Sequence, residues 1–526
     1  MANRFRCKGM TKDRALIAAH PAGEQPIVER GKAKPVVADT FAGQVHIEWE
    51  AGEGAAVTPL GQLPFFIEYL KQGGLFDGWV AGCPLSLTSP NAAAKRDILG
   101  TVMLSVLAGH RRYAHITALR CDPVNPPLLG MAKVVSEDAV RRALGKIAAE
   151  AGRGWLQEQL EYCTRPLLRE PWILDVDTTV KLLYGHQEGA VVGYNPKKPG
   201  RPSHTYHSDM LANLRLVLEV EVQPGNRHAA KHSAPGLWAL LDRLGPECAP
   251  RLLRGDRDWG NDGVMREAER RGQAYLFKLR LTKRVKRVLE RAMRDGDWCD
   301  AGAGRQGKHG KVRLMGWSRQ RRLVLLRRRL AGVMITPPQA EGQLALGFVE
   351  IDEERQEAWE YGVLVTSLET EVLTIAQFYR DRGDCENSFD ELKNHWGWGG
   401  FTTHDLARCR IMARIVALIF DWWNLFVRLA EPDHHREAIT SRPLLLQAIG
   451  RQTNHAGRTT VTITSTHGER RRARRALTRI ATFFATLRET AEQLTERDRW
   501  YRILSYALVK YLKGRQLDPP RRLQAA

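Results

Sequence analysis

The feature that most constrains the fold is a change of hydrophobic period near residue 170. Before it, apolar residues recur at helical spacing, as in "GQLPFFIEYLKQGG" (61–74), with its Gly-Gly stop, and "AAAKRDILGTVMLSVLAGHRR" (92–112). In "PPLLGMAKVVSEDAVRRALGKIAAEAG", Ser136 is placed to cap a helix, Glu137 and Asp138 fall in its first turn, and Ala139, Val140, Ala143 and Leu144 share a face. Two short helices around Gly130 would suit a helix-turn-helix DNA reader or an ordinary helical hairpin. After 170 the pattern turns to strands: "PWILDVDTTV" (171–180), "GAVVGYN" (189–195) and "LRLVLEVEVQPGN" (214–226). A helix "APGLWALLDRLG", the apolar segment "PRLLRGD" (250–256), a helix near "DGVMREAERRG" and a strand "AYLFKLRL" (274–281) follow. Three consecutive strands, then helix, strand, helix and strand, build a mixed α/β sheet. Residues 283–368 form a basic segment with strands such as "RRLVLLRR" and "EYGVLVTSL". Beyond it come a charged helix, "YRDRGDCENSFDELKNHWG" (379–397), and a mostly helical remainder interrupted by "TTVTITST" (459–466).

Charge narrows the partner. Eighty Lys and Arg against 59 Asp and Glu leave a net charge of +21, and the cations cluster in "KLRLTKRVKR" (278–287), "RQRRLVLLRRR" (319–329) and "HGERRRARR" (467–475). That pattern suits phosphate neutralisation along a nucleic acid ahead of an anionic membrane surface. The most apolar run, "IVALIFDWWNLFV" (415–427), is too short to span a bilayer, contains Asp421 and reads as a buried helix. The first residues lack the apolar stretch of a secretory signal, so the expectation is a cytoplasmic protein. Its eight scattered cysteines, with no C-x-x-C pair, imply reduced thiols.

Three sets of carboxylates stand out. On the 379–397 helix, Tyr379, Arg382, Glu386 and Lys393 fall on one stripe about 60° wide, flanked by Phe378, Phe389 and Leu392 that would pack it. Asp175 and Asp177 lie two apart on a strand, hence on one face, in an otherwise apolar segment where an acid needs a partner, a proton or a metal. Asp256 ends an apolar strand, where ligand sites of α/β sheets gather. Hard divalent cations such as Mg²⁺ take oxygen ligands, and two of them about 4 Å apart catalyse phosphoryl transfer. Two strand aspartates and a helix glutamate could hold such a pair, with Arg382, Lys393 and Tyr379 gripping DNA. The loop "NPKKPGRPSH" (195–204) adds Lys197, Lys198 and Arg201, a Gly-Arg-Pro centre suited to a DNA minor groove or to a solvated turn. His186, Gln187 and Glu188 are candidates to lie near the site or to form a turn, and "WGWGGFTT" (396–403) should end the helix, with Trp396 and Trp398 packed.

The spacing Tyr379-x2-Arg382-x3-Glu386-x6-Lys393 resembles the Tyr-Arg-Glu-Lys (YREK) signature of bacterial insertion-sequence DDE transposases. "LDVDTTVKLLYGHQEGAVVGYNPKKPGRPSH", "PGNRH", "LLRGD" and "LKNHWGWGGFTT" resemble segments of one such group, in the same order, over about residues 170 to 430. The resemblance implies an α/β fold: a ribonuclease-H-like mixed sheet core with a β-rich insertion, flanked by mainly helical N- and C-terminal regions. The chain would divide into 1–168 (helical, transposon-end binding), 169–282 (first part of the core), 283–368 (basic insertion), 369–430 (core helices with the motif) and 431–526 (helical, assembly). It also implies a catalytic triad of Asp177, Asp256 and Glu386 binding two Mg²⁺ ions, with Mn²⁺ as a substitute. The family pattern sets the first acid just before Thr-Thr, which selects Asp177 over Asp175; Asp258 is the matching alternative to Asp256. The implied reaction is cut-and-paste transposition: metal-activated water cuts the transposon end, and the freed 3′-hydroxyl attacks target DNA. Double-stranded DNA, at the terminal inverted repeats and the target, would be the partner of a homodimer in the synaptic complex, at the bacterial nucleoid. Some relatives hold a flipped base on an aromatic residue of the insertion, for which Trp298, Trp317 and Trp359 are candidates if they do not serve the core. The rival readings are a metal-dependent nuclease without strand transfer and a domesticated DNA-binding protein without catalysis.

Overall fold

The computed structural model describes residues 36–40, 43–47, 56–195, 198–227, 230–330, 349–352, 357–489 and 494–519. Residues 1–55 form one unit, in which β1 (Val36–Thr40) and β2 (Gly43–Ile47) pair antiparallel. Residues 56–526 form the other. It begins with β3 (Ala56–Thr58), α1 (Leu63–Gln72), α2 (Leu75–Gly82), α3 (Lys95–Leu107), α4 (Asn125–Leu128), α5 (Glu137–Gly145) and α6 (Ala149–Thr164). Ser136 caps α5 by accepting the Ala139 N–H, and Val140, Ala143 and Leu144 are its buried face. The helix before it is a single turn, started by Pro126 and Pro127 and followed by Gly130 at φ 68°. A one-turn helix is too short for the first arm of a helix-turn-helix.

The core sheet explains the period change. β4 (Ile173–Leu182), β6 (Pro202–Leu211) and β7 (Leu216–Pro224) are antiparallel neighbours, with β5 (Val191–Val192) beside the start of β6. Then α7 (Ala230–Leu244) crosses to β8 (Leu252–Gly255), parallel to β4, and α8 (Asp262–Arg270) crosses to β9 (Tyr275–Lys278), parallel to β8. The spatial order β7-β6-β4-β8-β9, three antiparallel strands followed by two parallel ones, is ribonuclease-H-like. The second strand is β6, "PSHTYHSDML"; the stretch read as a strand at 189–195 contributes only the two residues of β5. Ser203, His204, Thr205, His207 and Ser208 are all buried on β6, so polar residues occupy places where a period-2 pattern requires apolar ones.

The basic segment opens with a helix, α9 (Lys283–Arg294), capped by Thr282. β10 (Cys299–Gly302), β11 (Arg305–Val312), β12 (Arg321–Leu330), β13 (Val349–Asp352) and β14 (Glu357–Thr366) follow, and β14 pairs antiparallel with β9. The insertion therefore extends the core sheet to eleven strands. Trp317 is buried, and the Arg327 guanidinium lies 4.3 Å from the Trp298 ring centre and 4.5 Å from that of Trp359. These contacts give all three tryptophans a packing role.

α10 (Val372–Arg380) and α11 (Gly383–Glu391) lead to α12 (Leu406–Ala430), followed by α13 (Ala438–Leu445), β15 (Gly450–His455), β16 (Arg458–Ile463), α14 (Arg470–Glu489) and α15 (Glu496–Ala507). α12, roughly 38 Å long, is buried almost throughout and packs on β7, α1, α6, α14 and α15. Its few polar groups tie it to the sheet. Asp421 accepts the Val217 N–H at 2.9 Å, and Arg414 donates to Glu219 at 2.8 Å and Glu221 at 2.6 Å. The two ends of this unit also meet, since β15 pairs with β3 through Gly450 and Thr58. Among the described residues no helix is long and apolar enough to cross a membrane, and the seven described cysteines are unpaired.

Candidate active site

The register of two parallel strands sets the first two acids side by side. Asp175 lies opposite Arg254 and Val176 opposite Gly255, so Asp177 and Asp256 follow together at the same edge. The two β4 acids share a face but not an environment. Asp175, 1% exposed, receives both Arg254 Nε (2.6 Å) and Nη2 (2.7 Å) in a two-pronged pair with a guanidinium that is itself fully buried. Arg254 also donates through Nη1 to the Phe378 carbonyl, which fixes the last turn of α10 over the strand ends. Asp175 is thus fully engaged, whereas Asp177 opens to the edge.

Asp177 accepts the Thr178 N–H at 2.7 Å and faces Arg382 Nη2 at 2.5 Å. Burial pushes its pKa up to about 6; Arg382 opposes that rise, and the charges of Asp256 and Glu386 add to it. Burial also raises the pKa of Asp256, whose Oδ1 accepts the Asp258 N–H at 3.0 Å. Asp258 turns outward and pairs with Arg280, which leaves Asp256 as the acid of that loop facing Asp177.

Glu386 arrives from a break in the helix. The stretch expected as one helix is two, because α10 ends at Arg380 and α11 starts at Gly383. Arg382 sits in the break, 5% exposed, with Nη2 on Asp177 and Nη1 3.6 Å from Glu386 Oε1. Tyr379 belongs to the same cluster: burial raises its phenol pKa to about 12, with Asp256, Asp177 and Glu386 contributing and Arg382 opposing. The other four acids between 379 and 397 are engaged elsewhere. Asp381 pairs with Gln377, Asp384 with Arg215, and Asp390 with Asn394. Glu391 is held by Trp396, His435 and the Ala438 N–H, whose hydrogen bonds lower its pKa against the effect of burial. Lys393 lies in a π-helical turn, Leu392–Trp396, that begins after α11. Its position on an ideal 3.6-residue wheel therefore no longer applies, and it is half-buried.

The donor set suits a hard divalent cation. Asp177 and Asp256 are crowded, partly desolvated carboxylates whose ionisation a metal would favour. Among the described residues no three His, Cys, Asp or Glu side chains already stand close enough to chelate one ion. Positive charge between Asp177 and Glu386 comes instead from Arg382.

A family model described as transposase DDE domain group 1 matches residues 91–484. The chain belongs to this family. No curated protein matches the sequence significantly. Among solved structures, the cryo-EM synaptic complex of piggyBac transposase with hairpin DNA is similar at 10% identity and a TM-score of 0.35, over 89% of this chain and 86% of that one.

The remaining expectations for the transposase domain concern its loops. Lys197 lies outside the described residues. Lys198 and Arg201 gather on Tyr184, with Lys198 Nζ donating to its hydroxyl at 3.0 Å and Arg201 lying 4.9 Å from its ring centre. Glu188 makes a structural turn: its carboxylate caps α12 by accepting the Leu406 N–H at 3.0 Å, and its own N–H donates to the His404 carbonyl. Gly397, at φ 106°, ends the π turn, and Trp396 and Trp398 are buried as expected. Two residues were missed from sequence. Arg254 could have been noticed as a lone cation in the buried strand "LLRG". Tyr194, an exposed tyrosine whose hydroxyl accepts from Arg257 at 3.1 Å beside Asp256, carries no local signal.

Proposed function

We propose that this transposase domain excises a bacterial insertion sequence at its terminal inverted repeats and joins it to target DNA. The observation that carries the reading is the convergence of Asp177, Asp256 and Glu386, from two parallel strands and a broken helix, around one arginine. Asp177, Asp256 and Glu386 would hold two Mg²⁺ ions, for which Mn²⁺ would substitute. Such ions supply an activated oxygen nucleophile and stabilise the leaving oxygen of an in-line displacement at phosphorus.

The chain's own groups do the positioning. Tyr379, a phenol protonated at neutral pH in any case and held so more firmly by burial, donates a hydrogen bond to a phosphate oxygen. The buried Nε of Arg382 has no acceptor within the described residues, so its guanidinium has a donor to offer phosphate once DNA arrives. Lys393, Lys197, Lys198 and Arg201 neutralise phosphates on either side of the cut. The N-terminal region reads the repeats and the C-terminal helices assist a homodimer that synapses two ends.

Arg382 holds Asp177 and so competes with a metal for it. Arg382→Ala is therefore expected to bind Mn²⁺ more tightly than the unaltered protein in calorimetry without DNA, yet to cleave DNA at least about tenfold more slowly through loss of a charged phosphate contact worth about 1.5–3 kcal/mol. Weaker Mn²⁺ binding by the variant would remove the competition. The function itself is tested by incubating the protein with Mg²⁺, pre-cut element ends and a circular target. Joined products support transposition; nicking without joining would assign a nuclease.

A further inference from the structure

The β4–β6 hairpin projects past the cutting edge. Asp177 lies midway along β4, the strand runs on to Leu182, and Tyr184 follows. The far side of this arm meets the N-terminal helices around a cleft of about 840 Å³. Arg111, Arg112, Arg141 and His115 line it on one wall, and Tyr184 and Gln187 on the other; Glu137 is the one acid in its lining. Arg111 and Arg112 are exposed and make no ion pair among the described residues, and Arg141 has only a 3.9 Å contact with Asp138, both side chains exposed. The floor is bare backbone. A Cβ on Gly400 would lie 1.9 Å from the Arg111 carbonyl oxygen, so no side chain fits there. The Phe401 N–H donates to that carbonyl at 2.7 Å, and Lys181 donates to the Gly400 carbonyl, which locks the two walls together. At the rim stands Tyr184, 67% exposed, with Arg201 and Lys198 4.9 and 5.5 Å from its ring centre.

We infer that this cleft seats an unpaired DNA strand leaving the cut end, with Tyr184 stacking a base and Arg111, Arg112 and Arg141 holding its phosphates. The inference rests on the proposed transposase function. An exposed aromatic ring beside the exposed Arg111 and Arg112 matches single-strand recognition, in which bases stack on rings and a basic groove follows the backbone. A volume of 840 Å³ falls in the range of a pocket for one small ligand, about 300–1,000 Å³, which suits a short single-stranded segment. Tyr184 is at most about 23 Å along the chain from Asp177 at about 3.3 Å per residue, within reach of a strand that has just been cut.

The test uses the full chain and fluorescence anisotropy with a labelled oligothymidine and a duplex of equal length. Tyr184→Ala, and separately the pair Arg112→Glu and Arg141→Glu, should lower single-strand affinity about tenfold relative to duplex affinity, given about 1–3 kcal/mol for a stacked base. Tyr184→Phe keeps the ring and should bind like the unaltered protein. Unchanged single-strand binding in both variants would overturn the inference, as would an equal loss for strand and duplex. Metal-dependent nicking of element ends is read in parallel: its absence from the unaltered protein would refute the transposase function, whereas intact nicking with an unchanged strand-to-duplex ratio would refute the cleft alone.

Discussion

Asp177→Asn and Asp256→Asn will each slow DNA cleavage by about a thousandfold or more while leaving DNA binding at least as strong. A thousandfold is about 4 kcal/mol of barrier, the several kcal/mol of transition-state stabilisation expected from a metal site. Asparagine keeps the shape of the side chain and can still accept the Thr178 or Asp258 N–H, so the local hydrogen bonds survive. Binding should not weaken, because each substitution removes a negative charge from a surface that receives phosphates. Burial raises the pKa of both acids, with the charges of Asp256 and Glu386 adding at Asp177 and that of Asp258 at Asp256, so thermal stability should hold or rise in Asp256→Asn, whereas Asp177→Asn takes the near carboxylate from buried Arg382 and should lower it. Cleavage at the unaltered rate in either variant would remove that residue from the site.

Asp175→Ala will instead destabilise the fold by about 3–5 kcal/mol, the usual consequence of leaving a buried charge unpaired. Arg254 is 0% exposed and places two of its nitrogens on Asp175, so removal of the carboxylate leaves a guanidinium with no route to water. Arg254→Met should be comparably harmful, and also loosen Phe378 and with it the break that carries Arg382. Combining Asp175→Leu with Arg254→Met should recover much of the stability, since an apolar pair of similar volume often equals a buried ion pair. Urea unfolding midpoints distinguish the outcomes. An Asp175→Ala protein of unaltered stability that no longer cleaves would transfer the catalytic assignment from Asp177 to Asp175.

The sequence conveyed the fold where burial followed a period and lost it where polar residues were buried. The strands β4, β7 and β9 were legible because their apolar residues alternate or run together, and α12 because it is apolar along most of its length. β6 was not, because Ser203, His204, Thr205, His207 and Ser208 look like a loop until their partners on other segments are known, as with His204 on the Glu188 carbonyl. The stripe of Tyr379, Arg382 and Glu386 was found by assuming one regular helix. In the structure these three meet across a helix break at Arg382, and Lys393 follows in a π turn rather than in the same regular helix. Neither event has a periodic signature. The different environments of Asp175 and Asp177 depend on a parallel register with Arg254, a contact across 79 positions that no local pattern encodes.

The most direct test places purified protein with Mg²⁺ and end-labelled DNA carrying the element's own terminus on a denaturing gel, comparing the unaltered chain with Glu386→Gln. Glu386 is exposed at the helix break and contributes no core packing, so its substitution changes the site without changing the fold. The unaltered protein should nick the terminus in a Mg²⁺-dependent way and the variant should not, with both binding the DNA equally. Equal nicking by the two proteins, or DNA binding without cleavage by either, would contradict this expectation.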